Sequence, residues 1–282
     1  MEFGYSSMNT PNDMRPDLLA RALEERGYTS FFVGEHPQIP VSRTTPFPAG
    51  GEMPDATRWM MDPFVSLAMA ASVTQNLQLG FGVCLVLEHD VFALAKSVAT
   101  LDRLSGGRVL FGVGVGWNVE ELANHRPDIP WSRRYIASEE CVGALRACWD
   151  FEESEFHGEY FNFDPLWSLP KPARRPPVLL GAGGRIGMMH AVRWADEWMP
   201  MDVALGDVAK KVGRFREAAS TEGRDIPITL VTYGDPTPDT LRSYRDLGIE
   251  RVVIGASREG ESVPGTDLPF IDRYAPLIEE LK

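Results

Sequence analysis

Apolar strand-like runs and amphipathic helix-like runs alternate from one end of this 282-residue chain to the other, and that alternation restricts the fold more than any single motif. Ser30-Phe31-Phe32-Val33-Gly34 is apolar on both faces, as a parallel strand covered on both sides must be. Arg15 to Arg26 places Leu18, Leu19, Ala22 and Leu23 on one helical face and stops at Gly27. Asp62-Pro63 opens a helix with proline in its first turn and Phe64, Leu67, Ala68 and Ala71 as its stripe. Val91 to Leu104 turns Val91, Leu94, Ala95, Val98 and Leu101 inward. Further strands are expected at Glu2–Ser7, Leu77–Leu85, Val109–Val115, Pro177–Leu180, Glu197–Met201, Ile228–Tyr233 and Arg251–Gly255. Helices at Arg185–Trp194, Val208–Ala219, Leu241–Leu247 and Phe270–Leu281 fill the gaps. Eight strands, each followed by helix and with no separating linker, predict one (β/α)8 barrel domain over residues 1–282.

The alternation pauses after the fourth strand. Asn118 to Trp131 reads as a short helix and loop, and Ser132 to Trp149 as a longer helix. Phe156 to Phe163 reads as a small hairpin around Gly158. A doubly wound sheet is the competing architecture, supported by the strand–glycine–helix unit Val178 to Gly187. There the dinucleotide spacing G-x-G-x-x-G fails by one residue, because Ile186 stands where the third glycine belongs.

A net charge of −12 excludes nucleic acid as the main ligand, since phosphate neutralisation needs a basic face. The three cysteines Cys84, Cys141 and Cys148 sit in apolar contexts suited to buried thiols, and no metal-ligand spacing joins them to the five histidines. No stretch approaches a membrane span and the N-terminus reads directly as a strand, so a cytoplasmic protein is expected.

In such a barrel the reactive face lies at the C-terminal ends of the strands. Val109 to Gly116 runs from an apolar strand into glycines 112, 114 and 116 and then a helix starting at Asn118. Backbone that can approach closely, followed by a helix N-terminus, suits an anionic group; a packing turn is the alternative. Gly181 to Arg185 repeats the arrangement after the fifth strand, so one phosphate-bearing cofactor could span both turns. Arg185 is either a phosphate ligand or an ordinary exposed arginine. Glu35-His36 follows the second strand, and His36 suits acid–base work near neutrality. Glu35 is expected to orient His36 or a ring N–H. Trp117 would wall a substrate pocket, and Asn118 is either an N-cap or a ligand. His89, His125, His157 and His190 have no comparable support. Without a nucleophile motif such as G-x-S-x-G, small-molecule redox chemistry on a bound cofactor remains.

The segments Leu77–Val83, Ala95–Arg108 and Gly112–Asn118, with Gly34-Glu35-His36-Pro37 and Pro177–Gly181, resemble the bacterial luciferase-like superfamily. Within it the chain is similar to the actinobacterial branch that uses the deazaflavin coenzyme F420. The resemblance implies a barrel with an insertion after strand four, a deazaflavin or flavin across the strand ends, and a homodimer acting on a small molecule. It implies a non-proline cis peptide at Gly82-Val83 against the cofactor ring. It also implies phosphate contacts from Val115, Gly116, Gly181, Gly183 and Gly184, and ring or substrate contacts from Glu35 and His36. Trp117 departs from the glutamate of the family's sugar-phosphate dehydrogenase, so that substrate does not carry over. Hydride transfer with F420 is the expected reaction. A monooxygenase using flavin mononucleotide (FMN) and a non-catalytic cofactor-binding barrel are the alternatives.

Overall fold

The computed structural model describes residues 1–48 and 50–282. Strands β1 (Glu2–Ser7), β2 (Ser30–Val33), β3 (Gln78–Phe81), β4 (Cys84–Leu85) and β5 (Val109–Gly114) alternate with helices α1 (Pro16–Glu25), α2 (Pro63–Val73) and α3 (Val91–Ser105). After α4 (Val119–His125) and α5 (Arg134–Asp150), strands β6 (Ser154–His157) and β7 (Asn162–Leu166) form an antiparallel hairpin. The remaining units are β8 (Val178–Leu180), α6 (Arg185–Trp194), β9 (Glu197–Trp198), α7 (Asp202–Leu205), α8 (Val208–Thr221), β10 (Thr229–Tyr233), α9 (Pro238–Asp246), β11 (Arg251–Ala256) and α10 (Asp267–Glu280).

The parallel strands run in the order β10-β11-β1-β2-β3-β5-β8-β9, and β4 extends the β3 position against β5. Bridges Trp198 to Ile228 and Met201 to Val231 bring β9 back against β10. This nearly closed eight-stranded barrel settles the architecture against the doubly wound alternative.

Local chemistry accounts for the helix limits. Asp62 accepts from the Val65 N–H at 2.9 Å ahead of Pro63, and Asp90 accepts from Phe92 and Ala93 at the start of α3; such a cap stabilises a helix by about 1 kcal/mol. The helix α3 stops at Gly106, whose φ of 72° is open to glycine at little cost. Two expected core positions differ: Leu18 of α1 is half exposed and Ala68 of α2 faces outward. In their stretches Leu19 and Leu23, and Leu67 and Ala70, supply the buried face.

The largest departure is in the third strand unit, expected to be continuous from Leu77 to Leu85. It breaks at Gly82–Val83, where the peptide bond is cis as the resemblance implies, and its pairing with β5 slips by one residue across the break. The Val83 side chain thereby enters the barrel mouth, packed with the interior layer of Phe32, Leu110, Leu179, Met199 and Val253.

Candidate active site

Three histidine–carboxylate pairs meet at the C-terminal end of the barrel. The first is built on His36, just beyond β2. Its Nδ1 lies 2.8 and 3.0 Å from the two carboxylate oxygens of Glu121, on the first turn of α4. Its Nε2 accepts a hydrogen bond from the Trp117 indole N–H at 3.2 Å. A ring nitrogen facing a carboxylate must donate and one facing an indole N–H must accept, so His36 is neutral and protonated on Nδ1. Glu121 is buried, and the rings of Phe47 and His36 both meet Trp117 edge to face.

Of the two roles expected for Glu35, orienting His36 or a ring N–H, the first does not hold, because its side chain points away from His36. Successive residues leaving a strand project to opposite sides, and the Glu35 oxygens go to the Leu85 N–H and to His89 Nε2, each at 2.8 Å. Burial lowers the pKa of His89, but the hydrogen bond and charge of Glu35 outweigh it, and the net shift is upward. The third pair is looser: Glu88 Oε2 lies 3.8 Å from His125 Nε2. Burial, with Glu121 and Glu35 alongside, pushes the Glu88 carboxyl up to about 9.

Glu35, Cys84 and His89 bring possible metal-binding atoms within 4.8 Å of one another. Both Glu35 oxygens already accept hydrogen bonds, and burial, reinforced by Glu35, holds the Cys84 thiol well above its ordinary pKa. The trio is therefore a satisfied hydrogen-bonded group in its present protonation state.

The two glycine turns divide by physical role. A Cβ on Gly114 or Gly181 would strike Val83, at 2.3 and 2.5 Å, and one on Gly183 would meet Ala204 Cβ at 2.7 Å. Those three glycines make room for side chains. Gly116 has a φ of 72° with no atom closer to its Cβ position than Glu88 Oε1 at 4.0 Å, and Gly184 has nothing within 4 Å. Only these two leave open backbone of the kind a ligand could approach. Among the described residues the Gly116 and Trp117 N–H groups make no backbone hydrogen bond. Val115 is half-buried on the approach to Gly116.

The start of α4 is less available than its sequence suggested. The Val119 N–H donates to Thr45 Oγ1 at 3.3 Å, and Glu120 and Glu121 already supply negative charge in the first turn. The longer α6 begins beside open Gly184 with an exposed Arg185 and no acidic residue in its first turn. Asn118 occupies the N-cap position of α4 without capping it; its buried amide has no partner on either atom among the described residues.

Residues 43–47 of the loop that follows His36 lie against this end of the barrel. Glu120 accepts hydrogen bonds from the N–H and hydroxyl groups of both Thr44 and Thr45. These bonds, the Thr45 hydroxyl first among them, bring its carboxyl down to about 2. Arg43 lies over the Trp117 ring at 5.5 Å.

Sequence reading missed Glu121, Glu88, His89 and His125. Glu121 and His125 are four residues apart and so share a face of α4, a signal present in the sequence. Nothing local placed that face against residues 35, 36 and 88.

With this geometry in view, comparison places the chain among known proteins. The model of the luciferase-like monooxygenase family matches residues 9–258, and the chain belongs to that family. An uncharacterized protein of Mycobacterium tuberculosis is 38% identical over 263 residues, 90% of this chain and 92% of the relative. The F420-dependent hydroxymycolic acid dehydrogenase of the same organism is 28% identical over 212 residues, 75% of this chain and 55% of the relative. Among solved structures, monooxygenase RslO1 of Streptomyces bottropensis superposes with a TM-score of 0.78 at 18% identity, covering 100% of both chains.

Proposed function

We propose that this member of the luciferase-like monooxygenase family is an oxidoreductase that uses coenzyme F420 to exchange hydride with a small organic substrate bearing a hydroxyl or carbonyl group. The observation that carries the reading is the His36 arrangement: a neutral imidazole, its Nδ1–H held by buried Glu121 and its Nε2 lone pair turned toward Trp117. Interconverting an alcohol and a carbonyl moves one hydride and one proton, and a fixed acid–base group answers the second requirement. The sequence similarity to an F420-dependent dehydrogenase supports the choice of cofactor.

The residues present fit such a cofactor. The open backbone at Gly116–Trp117 and at Gly184, the first turn of α6 and Arg185 would hold its phosphate. Val115 leads into the first of these turns, while Gly181 and Gly183 keep the second one close to the barrel. Gly82 and Val83 would lie against the ring system. When bound, the deazaflavin supplies the hydride acceptor or donor. In the oxidising direction a substrate hydroxyl replaces the Trp117 N–H at His36 Nε2 and gives its proton to that nitrogen, and Glu121 stabilises the resulting imidazolium. The reverse direction returns the proton from Nε2. Trp117, Phe47 and Asn118 would border the substrate, and the loop over the barrel end would exclude water. Glu35 acts through His89 in this reading. We place the enzyme in the cytoplasm as a homodimer of single-domain protomers, with no nucleic-acid or membrane partner. The acidic net charge, and the lack among the described residues of any helix long and apolar enough to cross a membrane, support the last two points.

Paired fluorescence titrations with coenzyme F420 and FMN test the reading. Tight binding of F420 with weak or no binding of FMN is expected. Preference for FMN, with product formed only in the presence of oxygen, would replace it by monooxygenation, and binding of neither would remove the cofactor role of both turns.

A further inference from the structure

Behind His36 the buried carboxyl groups of Glu35, Glu88 and Glu121 outnumber the positive charges that could match them. Glu88 and Glu121 are both buried, with side chains 3% and 1% exposed, and they face each other. Two carboxyl groups can share a hydrogen bond only if one carries a proton, and in a low-dielectric interior two adjacent anions do not both persist. The titratable groups facing Glu88 are Glu35 from beyond β2, Cys84 from β4, and Glu121 and His125 from α4. Among the described residues no lysine or arginine is one of them. His125 stays 3.8 Å away, and burial lowers its pKa, so it offers no fixed positive charge.

The surroundings decide which of the two acids holds the proton. Glu121 is committed as an acceptor, with both oxygens against His36 Nδ1. Glu88 Oε2 is buried without a hydrogen-bond partner among the described residues. Placing the charge on Glu88 would strand it, whereas placing it on Glu121 pairs it with a donor. Glu88 also lies beneath the open Gly116 turn, its Oε1 4.0 Å from where a Cβ would stand. A second negative charge there would repel a phosphate held by that turn.

We infer that Glu88 is kept as a neutral carboxylic acid donating its proton to Glu121, and that together they lock His36 in the Nδ1–H tautomer, so that Nε2 alone exchanges a proton with substrate. Both are positioning residues that act through His36. The inference rests on the proposed role of His36 for its catalytic consequence, but the protonation states are properties of the cofactor-free protein.

The experiment therefore uses the cofactor-free full chain at pH 7. Infrared difference spectra between wild type and Glu88→Gln are expected to show one protonated-carboxyl band, shifted in D2O and lost in the variant. Nitrogen-15 NMR is expected to show His36 protonated on Nδ1 in both proteins, because a glutamine amide still donates to Glu121. Glu121→Leu removes the acceptor and is expected to move His36 toward the Nε2–H form. If that variant does not fold, Glu121→Gln serves instead: burial keeps Glu88 protonated, but its band should shift in frequency because the acceptor changes from a carboxylate to an amide. Absence of the band in wild type, or a His36 tautomer indifferent to Glu121→Leu, or a band untouched by Glu121→Gln, overturns the inference. In turnover assays Glu121→Gln should lower kcat about 100-fold at nearly constant KM. A wild-type kcat in Glu121→Gln also overturns it. Spectra as expected without any F420-dependent turnover would instead remove the proposed reaction and leave the protonation assignment standing.

Discussion

At the scale of single residues, the decisive contrast is between two adjacent side chains. His36 and Glu35 leave the same strand but enter different hydrogen-bond pairs, His36 with Glu121 and Glu35 with His89. Changing His36 to Gln should reduce turnover by about 10²–10⁴-fold while the F420 dissociation constant stays nearly constant; a rate close to wild type would place the proton exchange elsewhere. Glu88 makes a separate prediction about stability. Its carboxyl rises from an ordinary 4.5 to about 9 in the folded protein, chiefly through burial. An acid raised on folding contributes its full stability below its unfolded pKa and loses it as pH climbs toward the folded value. Wild type should therefore lose stability between about pH 4.5 and pH 9 relative to Glu88→Gln, which has no proton to lose. Thermal melts at pH 5 and pH 8 check the sign: the variant's advantage must widen at pH 8, and a gap that stays constant would mean that Glu88 is not raised.

At the scale of elements, the barrel strands were legible because buried parallel strands are short apolar runs, and the helices because apolar spacing and caps such as Asp62 and Asp90 mark their limits. The break between β3 and β4 was legible only through the resemblance, which placed a cis peptide at Gly82–Val83; the largely apolar run Leu77 to Leu85 does not by itself distinguish a bulged strand from a straight one. The glycine turns were recognisable as turns, but the division between Gly114, Gly181 and Gly183, which accommodate Val83 or Ala204, and open Gly116 and Gly184 depends on which side chains arrive from other strands. The acid–histidine cluster was hidden for the same reason, since α4 brings Glu121 and His125 to a strand end far away in sequence. That short helix also holds the loop over the barrel mouth, through Glu120 and the two threonines. Glu120→Gln or Thr45→Val should release it, seen as faster amide exchange across residues 37–48 and a raised KM with kcat altered less. Exchange and KM both unchanged would mean that the remaining contacts of Arg43 and Phe47 with Trp117 hold the loop alone.

At the scale of the whole molecule, chemistry and stability occupy opposite ends of the barrel. The end described above carries open backbone, an unpartnered Asn118 amide and a surplus of carboxyl groups, none of which favours folding. The other end is closed by Arg251, whose side chain is only 7% exposed. From the first residue of β11 its guanidinium reaches Glu2 of β1 at 2.6 Å, Gln78 of β3 at 2.9 Å, Thr229 of β10 at 3.0 Å and Glu197 of β9 at 3.2 Å. One side chain thus ties five strands together, including the short β9 that completes the ring. A guanidinium has enough donors in one plane to do this, and a lysine ammonium does not. Arg251→Met leaves half-exposed Glu2 and partly buried Glu197 without their cation, and the loss should be about 1–3 kcal/mol. Arg251→Lys should recover only part of it. Because the strands separate this network from the reactive end, the folded fraction of Arg251→Met should keep the wild-type kcat and F420 affinity at a temperature well below its melting point. Denaturant unfolding and turnover measured on the same preparation decide the matter: lost stability with kept turnover supports the division between the two ends, and parallel losses would show that closing the barrel also sets the geometry of His36 and its partners.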